Sequence, residues 1–171
     1  MNALAILDLP RGDPILLGGP ALRSPLPGVP DRAWATFVFV LETQPLSAIS
    51  DSNGLGCFEM RPRRLGDLGM MTSLRAVRRR SRQVFEGTFV LPLTLERFLR
   101  DPLLQYGALR RSLERHDGED VAKKALPEGV TRSGALALLH RGGPGALSGW
   151  AGGSPRFPRT EELFLKANGI F

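Results

Sequence analysis

At 171 residues and 18.7 kDa, with 42% hydrophobic and 23% charged residues, the chain has the length and composition of one soluble globular domain with a buried core. Its net charge of +6, carried by arginine far more than lysine, favours acidic partners: nucleic acid, anionic lipid or an anionic wall polymer. The lone Cys57 excludes an internal disulfide, and two histidines far apart in sequence, His116 and His140, support no metal site; no cofactor is expected.

The N-terminal "MNALAILDLPRGDP" lacks a basic lead, and Asp8 and Pro10 break its apolar run, so it does not read as a secretory signal. No stretch is long enough to span a membrane. Residues 1–30 carry Pro10, Pro14, Pro20, Pro25, Pro27 and Pro30 with four glycines, which predicts an extended arm. Its apolar "DPILLGG" would be costly to leave in water, so the arm is expected to pack on the domain or on a partner. The domain itself is placed at 31–171.

Asp31 reads as the N-cap of a helix, "DRAWATFVFVLET", apolar almost all round and therefore expected at the domain centre; Pro45 ends it. "RPRRLGDLGMMTSLRAVRRRSRQVF" reads as one or two short basic helices separated by a turn at Gly66–Gly69. "TLERFLRDPLLQYGALRRSLERH" has Leu95, Phe98, Leu99, Leu103, Tyr106, Leu109 and Leu113 at helical spacing, capped by Thr94. "TRSGALALLHRG" is a short apolar helix closed by Gly142 and Gly143, and "TEELFLKANG" is a last helix from Thr160 to Gly169. The strand signal is weak throughout, so a mostly α fold is expected. Met60, Met70 and Met71 are assigned to the core.

Glu42 stands at the end of the first apolar helix, where the helix dipole disfavours negative charge and burial would raise its pKa. A carboxyl kept protonated near neutrality is what a general acid needs. The following "SDSNGLG" turn has glycines that would let a ligand approach closely. Read alone, a glutamate at a helix end is usually a solvated terminus. Cys57 reads either as a small buried apolar residue or as a nucleophile.

The order of these elements resembles that of soluble lytic transglycosylases in the lysozyme-like superfamily. That family has a helix ending in the catalytic glutamate, a segment ending in serine, and a small-apolar-Gly turn leading to Gln and Pro. Here Glu42, Ser50, Gly54-Leu55-Gly56, Glu59 and Pro62 match those elements. The family's later Ala-Tyr-Asn-Ala-Gly-Pro-Gly loop is similar to "LHRGGPGALSGW", in which Gly143-Pro144-Gly145 and Trp150 fall in step. Its closing Pro-x-x-Glu is similar to Pro158 and Glu161. The match covers residues 33 to 168. It departs from the family where Glu59 replaces glutamine, His140 tyrosine and Arg141 asparagine, and the Glu42–Glu59 segment is one residue short.

The resemblance implies a lysozyme-like fold and cleavage of the glycosidic bond between N-acetylmuramic acid and N-acetylglucosamine in peptidoglycan. It makes Glu42 the single catalytic acid and base and closes a 1,6-anhydro ring without consuming water. Lysozyme-type hydrolysis is the alternative, with Asp51 positioning the water; the bland reading of Asp51 is a turn residue. A structural particle protein that kept the fold and lost the chemistry is the other. Ser50 is assigned to the substrate acetamide, to Glu42 or to loop capping, and Glu59 to a sugar or to Arg61. His140 is assigned to a hydrogen bond with Glu42 or to a plain helix end, and Glu161 to the substrate or to a helix first turn. Tyr106 joins the substrate-side set. Peptidoglycan lies outside the cytoplasmic membrane, so delivery by a phage or phage-like particle is expected, with residues 1–30 anchoring the chain. An endolysin released by a holin is second. The arginine run lacks helix-turn-helix spacing, an aromatic platform or a zinc finger, which argues against a nucleic-acid partner.

Overall fold

The computed structural model describes residues 22–79, 82–150 and 158–171. Among them are six α-helices, one π-helical turn, one 3-10 turn and a single two-stranded antiparallel sheet, so the protein is mostly α with a small β component. The chain divides into two compact units, residues 1–41 with 113–171, and residues 42–112.

In the unit that contains the chain's two ends, α1 (Asp31–Leu41) buries Trp34, Phe37, Val38 and Leu41 on one stripe. It is not buried all round as expected, because Phe39 is 38% exposed. The helix sealed on all sides is α5 (Arg132–Gly142), in which Ser133 to His140 are buried without a break. Thr131 caps it by accepting the Gly134 N–H. Gly134 is required there, since a β-carbon would run into the Asn168 carboxamide and the Phe164 ring. Asn168 and Ser133 in turn tie the C-terminus down: Asn168 Oδ1 accepts the Thr131 N–H at 2.8 Å, and Ser133 Oγ accepts those of Ile170 and Phe171. The closing helix α6 (Pro158–Ala167) packs against α1 and α5, and Phe171 meets Phe37 edge-on at 5.2 Å.

Charges inside this unit are paired. Arg132 grips the buried Asp117 through two bonds of 2.7 and 2.6 Å, which raises the guanidinium pKa further. Asp117 opens the π-helical turn Asp117–Val121. In that turn Asp120 lies between His116 Nδ1 at 2.9 Å and Lys124 Nζ at 2.7 Å. Burial works to raise its pKa, but the two hydrogen bonds and charges outweigh burial and hold it below the usual value.

Of the expected arm, residues 1–21 lie outside the described residues. From Arg23 onward the chain is not extended over its whole length: the Val29 N–H closes a turn on the Leu26 carbonyl, Gly28 takes φ +76°, and both Leu26 and Val29 are buried. Arg132 Nη1 donates to the Pro27 carbonyl at 2.7 Å. Asp31 sits one residue inside the helix rather than capping it, and its carboxylate accepts the Ser24 N–H.

In the second unit, α2 (Pro62–Asp67) matches the first expected basic helix, but the second is a β-hairpin, β1 (Met71–Arg79) and β2 (Arg82–Phe89). Arginine is a good helix former and misleads here; the pairing of β1 with β2 decides for strand, with the β-branched Thr72, Val77, Val84 and Thr88 compatible with it. The register runs Met71↔Phe89 and Thr72↔Thr88, then shifts by one residue to Arg75↔Glu86 and on to Arg79↔Arg82. The extra residue is a bulge at Ser73-Leu74, with Ser73 at φ +52°. Leu74 occupies room left by Gly66 and Gly87, either of which would strike it with a β-carbon. These glycines make space for a side chain and do not merely punctuate the chain.

The long expected helix from Thr94 to His116 is two helices, α3 (Leu95–Arg100) and α4 (Pro102–His116). Pro102 forces Asp101 out of helical geometry, to φ −105° and ψ 102°. The Asp101 carboxylate then accepts the Leu103 and Leu104 N–H groups and starts α4 afresh. Phe98, at the end of α3, stacks on Phe89 at 5.3 Å and closes the core against the hairpin. Met60 and Met71 are buried as expected, and Met70 is half-buried.

Candidate active site

Glu42 is the first residue past α1 and opens the second unit. Its backbone position is held from one side. The carbonyl of Cys57 accepts the N–H groups of both Thr43 and Gln44, at 3.0 and 3.2 Å, so the chain leaving Glu42 is clamped to the glycine turn. Cys57 is itself fixed: its N–H donates at 2.8 Å to Oε1 of Gln105, which is completely buried on α4. The Gln105 amide nitrogen then donates to the carbonyls of Leu46 and Phe98, both at 2.9 Å. One side chain therefore ties the segment after Glu42, the glycine turn and the end of α3 together.

The glycines expected to admit a ligand serve this internal arrangement. Gly56 has φ +72°, and a β-carbon on it would overlap the Gln105 carboxamide. Gly54 lies against the Glu59 backbone and Ser50 Oγ, where a β-carbon would come within 2.9 and 3.0 Å. A short ladder, with Leu55 bonded in both directions to Met60, holds the turn flat.

Half-burial without compensation sets the chemistry of Glu42. Removal from water pushes its pKa from the usual carboxylate range up to about 7, and no cation or hydrogen-bond donor among the described residues offsets that. The side chain can thus be protonated or ionised near neutrality, as an acid that donates a proton and later takes one back must be. Cys57, beside it, goes the other way from reactivity. Burial, and then the charge of Glu42, push its thiol up to about 12, so no thiolate forms at neutral pH and the nucleophile reading is set aside.

Ser50 caps the loop: its Oγ accepts the Gly54 N–H at 2.9 Å and lies 3.1 Å from Ser52 Oγ. Asp51 is exposed at the start of the Asp51-Ser52 turn, as the turn reading expects. Glu59 is buried at φ +48° and accepts the Thr43 hydroxyl proton at 3.2 Å, a partner next to Glu42 that the sequence reading does not include. Tyr106 is buried on α4, one residue past Gln105. Asn53, in αL at φ +61°, donates to the Phe85 carbonyl and fastens the turn to β2.

His140 and Glu161 belong to the other unit. His140 is buried at the end of α5, and Glu161 is exposed in the first turn of α6, where the dipole favours it. The Gly-Pro-Gly element forms the C-terminal cap of α5: Gly143 takes φ +75° and its N–H returns to the Leu139 carbonyl. Trp150 stacks on Phe164 at 4.2 Å. Pro158 begins α6, and nothing more is described of its side chain.

Sequence reasoning missed Gln105 and Thr43. The signal for Gln105 was present, a polar residue on the face of α4 that also carries Leu109 and Ser112, four and seven residues on. A solvent-open hollow of about 470 Å³ at the α3–α4 junction, lined by Thr94, Glu96, Arg97, Arg100, Asp101 and Pro102, includes none of the expected site residues. Among the described residues no cluster of metal-ligating side chains occurs, and no helix is long and apolar enough to cross a membrane. No protein-family model matches the chain, and neither a curated protein nor a solved structure matches it.

Proposed function

We propose that the chain cleaves peptidoglycan glycan strands on a lysozyme-like fold, by lytic transglycosylation, with Glu42 as the acid and base. The observation that carries this reading is the half-buried Glu42 carboxyl with its pKa at about 7, fixed at a helix exit by the Cys57 carbonyl clamp. The ordered sequence elements from Glu42 to Glu161 support it from a separate direction.

Protonated Glu42 donates to the glycosidic oxygen as the bond to the anomeric carbon breaks. The substrate's own acetamide stabilises the resulting cationic centre, so no second carboxylate is needed, a departure from the two-carboxylate scheme. The ionised Glu42 then removes the proton of the sugar's C6 hydroxyl, whose oxygen closes the 1,6-anhydro ring. The exposed turn position of Asp51 favours this route over hydrolysis. Delivery by a phage or phage-like particle belongs to the same proposal.

Mass spectrometry of digested, purified sacculi tests it. Wild-type protein releases muropeptides with 1,6-anhydro ends, and Glu42→Gln lowers the rate by roughly 10²–10⁴-fold while keeping its circular dichroism spectrum. Near-normal digestion by Glu42→Gln, or no products from the wild type, refutes the enzyme. Reducing ends, with Asp51→Asn as damaging as Glu42→Gln, replace transglycosylation by hydrolysis.

A further inference from the structure

The chain's positive charge is not spread over it. Residues 61–89, α2 with the β-hairpin, carry eight arginines and no lysine against two carboxylates, Asp67 and Glu86; eight less two is the chain's whole net +6. The remaining residues are balanced, fifteen basic against fifteen acidic. Such an asymmetry marks an interaction surface rather than a uniformly solvated one.

Five of the eight, Arg75, Arg78, Arg79, Arg80 and Arg82, fall in the hairpin segment 71–89. Arg79 and Arg82 are register partners in the ladder, with Arg78 and Arg80 adjoining them in sequence. Glu86 meets Arg75 at 3.4 Å, where the guanidinium is 75% exposed and the pair is weak. Arg78 is exposed and has no ion-pair partner among the described residues. Arg63 lies over the Phe85 ring at 5.7 Å, which keeps an aromatic face and a cation together at the base of the ribbon. A guanidinium presents a fork that matches a carboxylate two bonds at a time, and an all-arginine set favours that over a diffuse ammonium cloud.

We propose that this arginine ribbon is the docking surface for the stem-peptide carboxylates of peptidoglycan, holding the strand that the Glu42 site of the same unit cuts. The inference rests on the proposed function for its choice of polyanion.

Sedimentation of the full-length Glu42→Gln protein with purified sacculi tests this without catalysis. Binding weakens at least about tenfold between 50 and 200 mM salt, as screened arginine–carboxylate attraction requires. It weakens as much on sacculi whose carboxyls have been amidated, and in the Arg75, Arg78, Arg79, Arg80, Arg82→Gln protein. Equal binding to amidated sacculi overturns the proposal with no variant involved, so misfolding of the five-fold variant cannot hide the answer. Duplex DNA that strips the protein from sacculi at equal phosphate and carboxylate concentrations overturns it in favour of a nucleic-acid partner. Digestion by the wild-type protein that survives loss of this binding, or binding that survives loss of activity, separates the fate of the ribbon from that of Glu42.

Discussion

Glu42 is costly to the fold in its ionised form, and that gives the residue a stability signature independent of any substrate. Its folded pKa, about 7, lies above the ordinary value of 4.5, so the native state holds the proton more tightly than the unfolded chain. The penalty is absent below pH 4.5, grows from there to about 7, and is complete above it. Glu42→Gln is therefore expected to raise the melting temperature at pH 8 and to match the wild type at pH 4. After allowance for solvent screening of a half-exposed group, the gain is of the order of 1–2 kcal/mol. A variant that melts with the wild type at both pH values would show that the carboxyl is solvated. The same titration sets the alkaline limb of the rate profile: digestion falls as pH rises through about 7, because the acid loses its proton. Cys57 provides the complementary check. With its thiol pushed up to about 12 and 3% of its surface exposed, it is expected to ignore iodoacetamide in the native protein and to react fully in denaturant.

At the scale of elements, the support of Glu42 depends on a contact between α4 and the glycine turn. Gln105→Met keeps the length of the side chain but leaves the Cys57 N–H and the Leu46 and Phe98 carbonyls without their partner. Two or three orphaned buried groups cost about 3–5 kcal/mol, seen as an earlier urea midpoint. Gly56→Ala is expected to be comparably damaging, because the new methyl meets the same carboxamide at a positive φ. If Gln105→Met melted with the wild type, the clamp would have to be held by the backbone alone. Much of this level was legible in the sequence: helix boundaries followed Thr94, Thr131, Gly143 and Gly169, because caps are local chemistry. What escaped was non-local. Arg75 and Arg78 have helix-forming side chains, and pairing with β2 makes them strand, with Leu74 seated between Gly66 and Gly87. Pro102 splits a continuous apolar periodicity by its steric effect on Asp101, a boundary that periodicity alone overlooks. At the site, Glu42 was legible from its place at the end of an apolar run. Ser50 gave three meanings, the substrate acetamide, Glu42 and the loop cap, of which the loop cap is the one observed. Gln105 could be marked from the sequence as a polar residue on a buried face, but its three partners lie in distant segments that only the fold brings together.

At the scale of the whole molecule, the unit that contains α1, α5 and α6 is tied together in part by the Arg132–Asp117 ion pair. Arg132 serves two masters, the buried Asp117 carboxylate and the Pro27 carbonyl, and so links α5 to the π-helical turn and to the segment before α1. Removing the guanidinium leaves a charge that is nearly inaccessible to water, whereas removing both partners leaves none. Arg132→Met is thus expected to cost about 3–5 kcal/mol, and the double variant Arg132→Met/Asp117→Leu to recover most of it. The same contact predicts a step in a truncation series. A chain beginning at Ser24 retains Leu26, Val29 and the Pro27 carbonyl, and one beginning at Asp31 loses all three. Two buried aliphatic side chains and one charge-assisted hydrogen bond together contribute about 3–6 kcal/mol. The shorter chain should therefore show an earlier thermal transition by circular dichroism, and in the Arg132→Met background the gap between the two truncations should narrow by the share of that hydrogen bond. An identical gap in both backgrounds would mean that Leu26 and Val29 hold the segment without help from Arg132, and that the ion pair stabilises α5 and the π-helical turn alone.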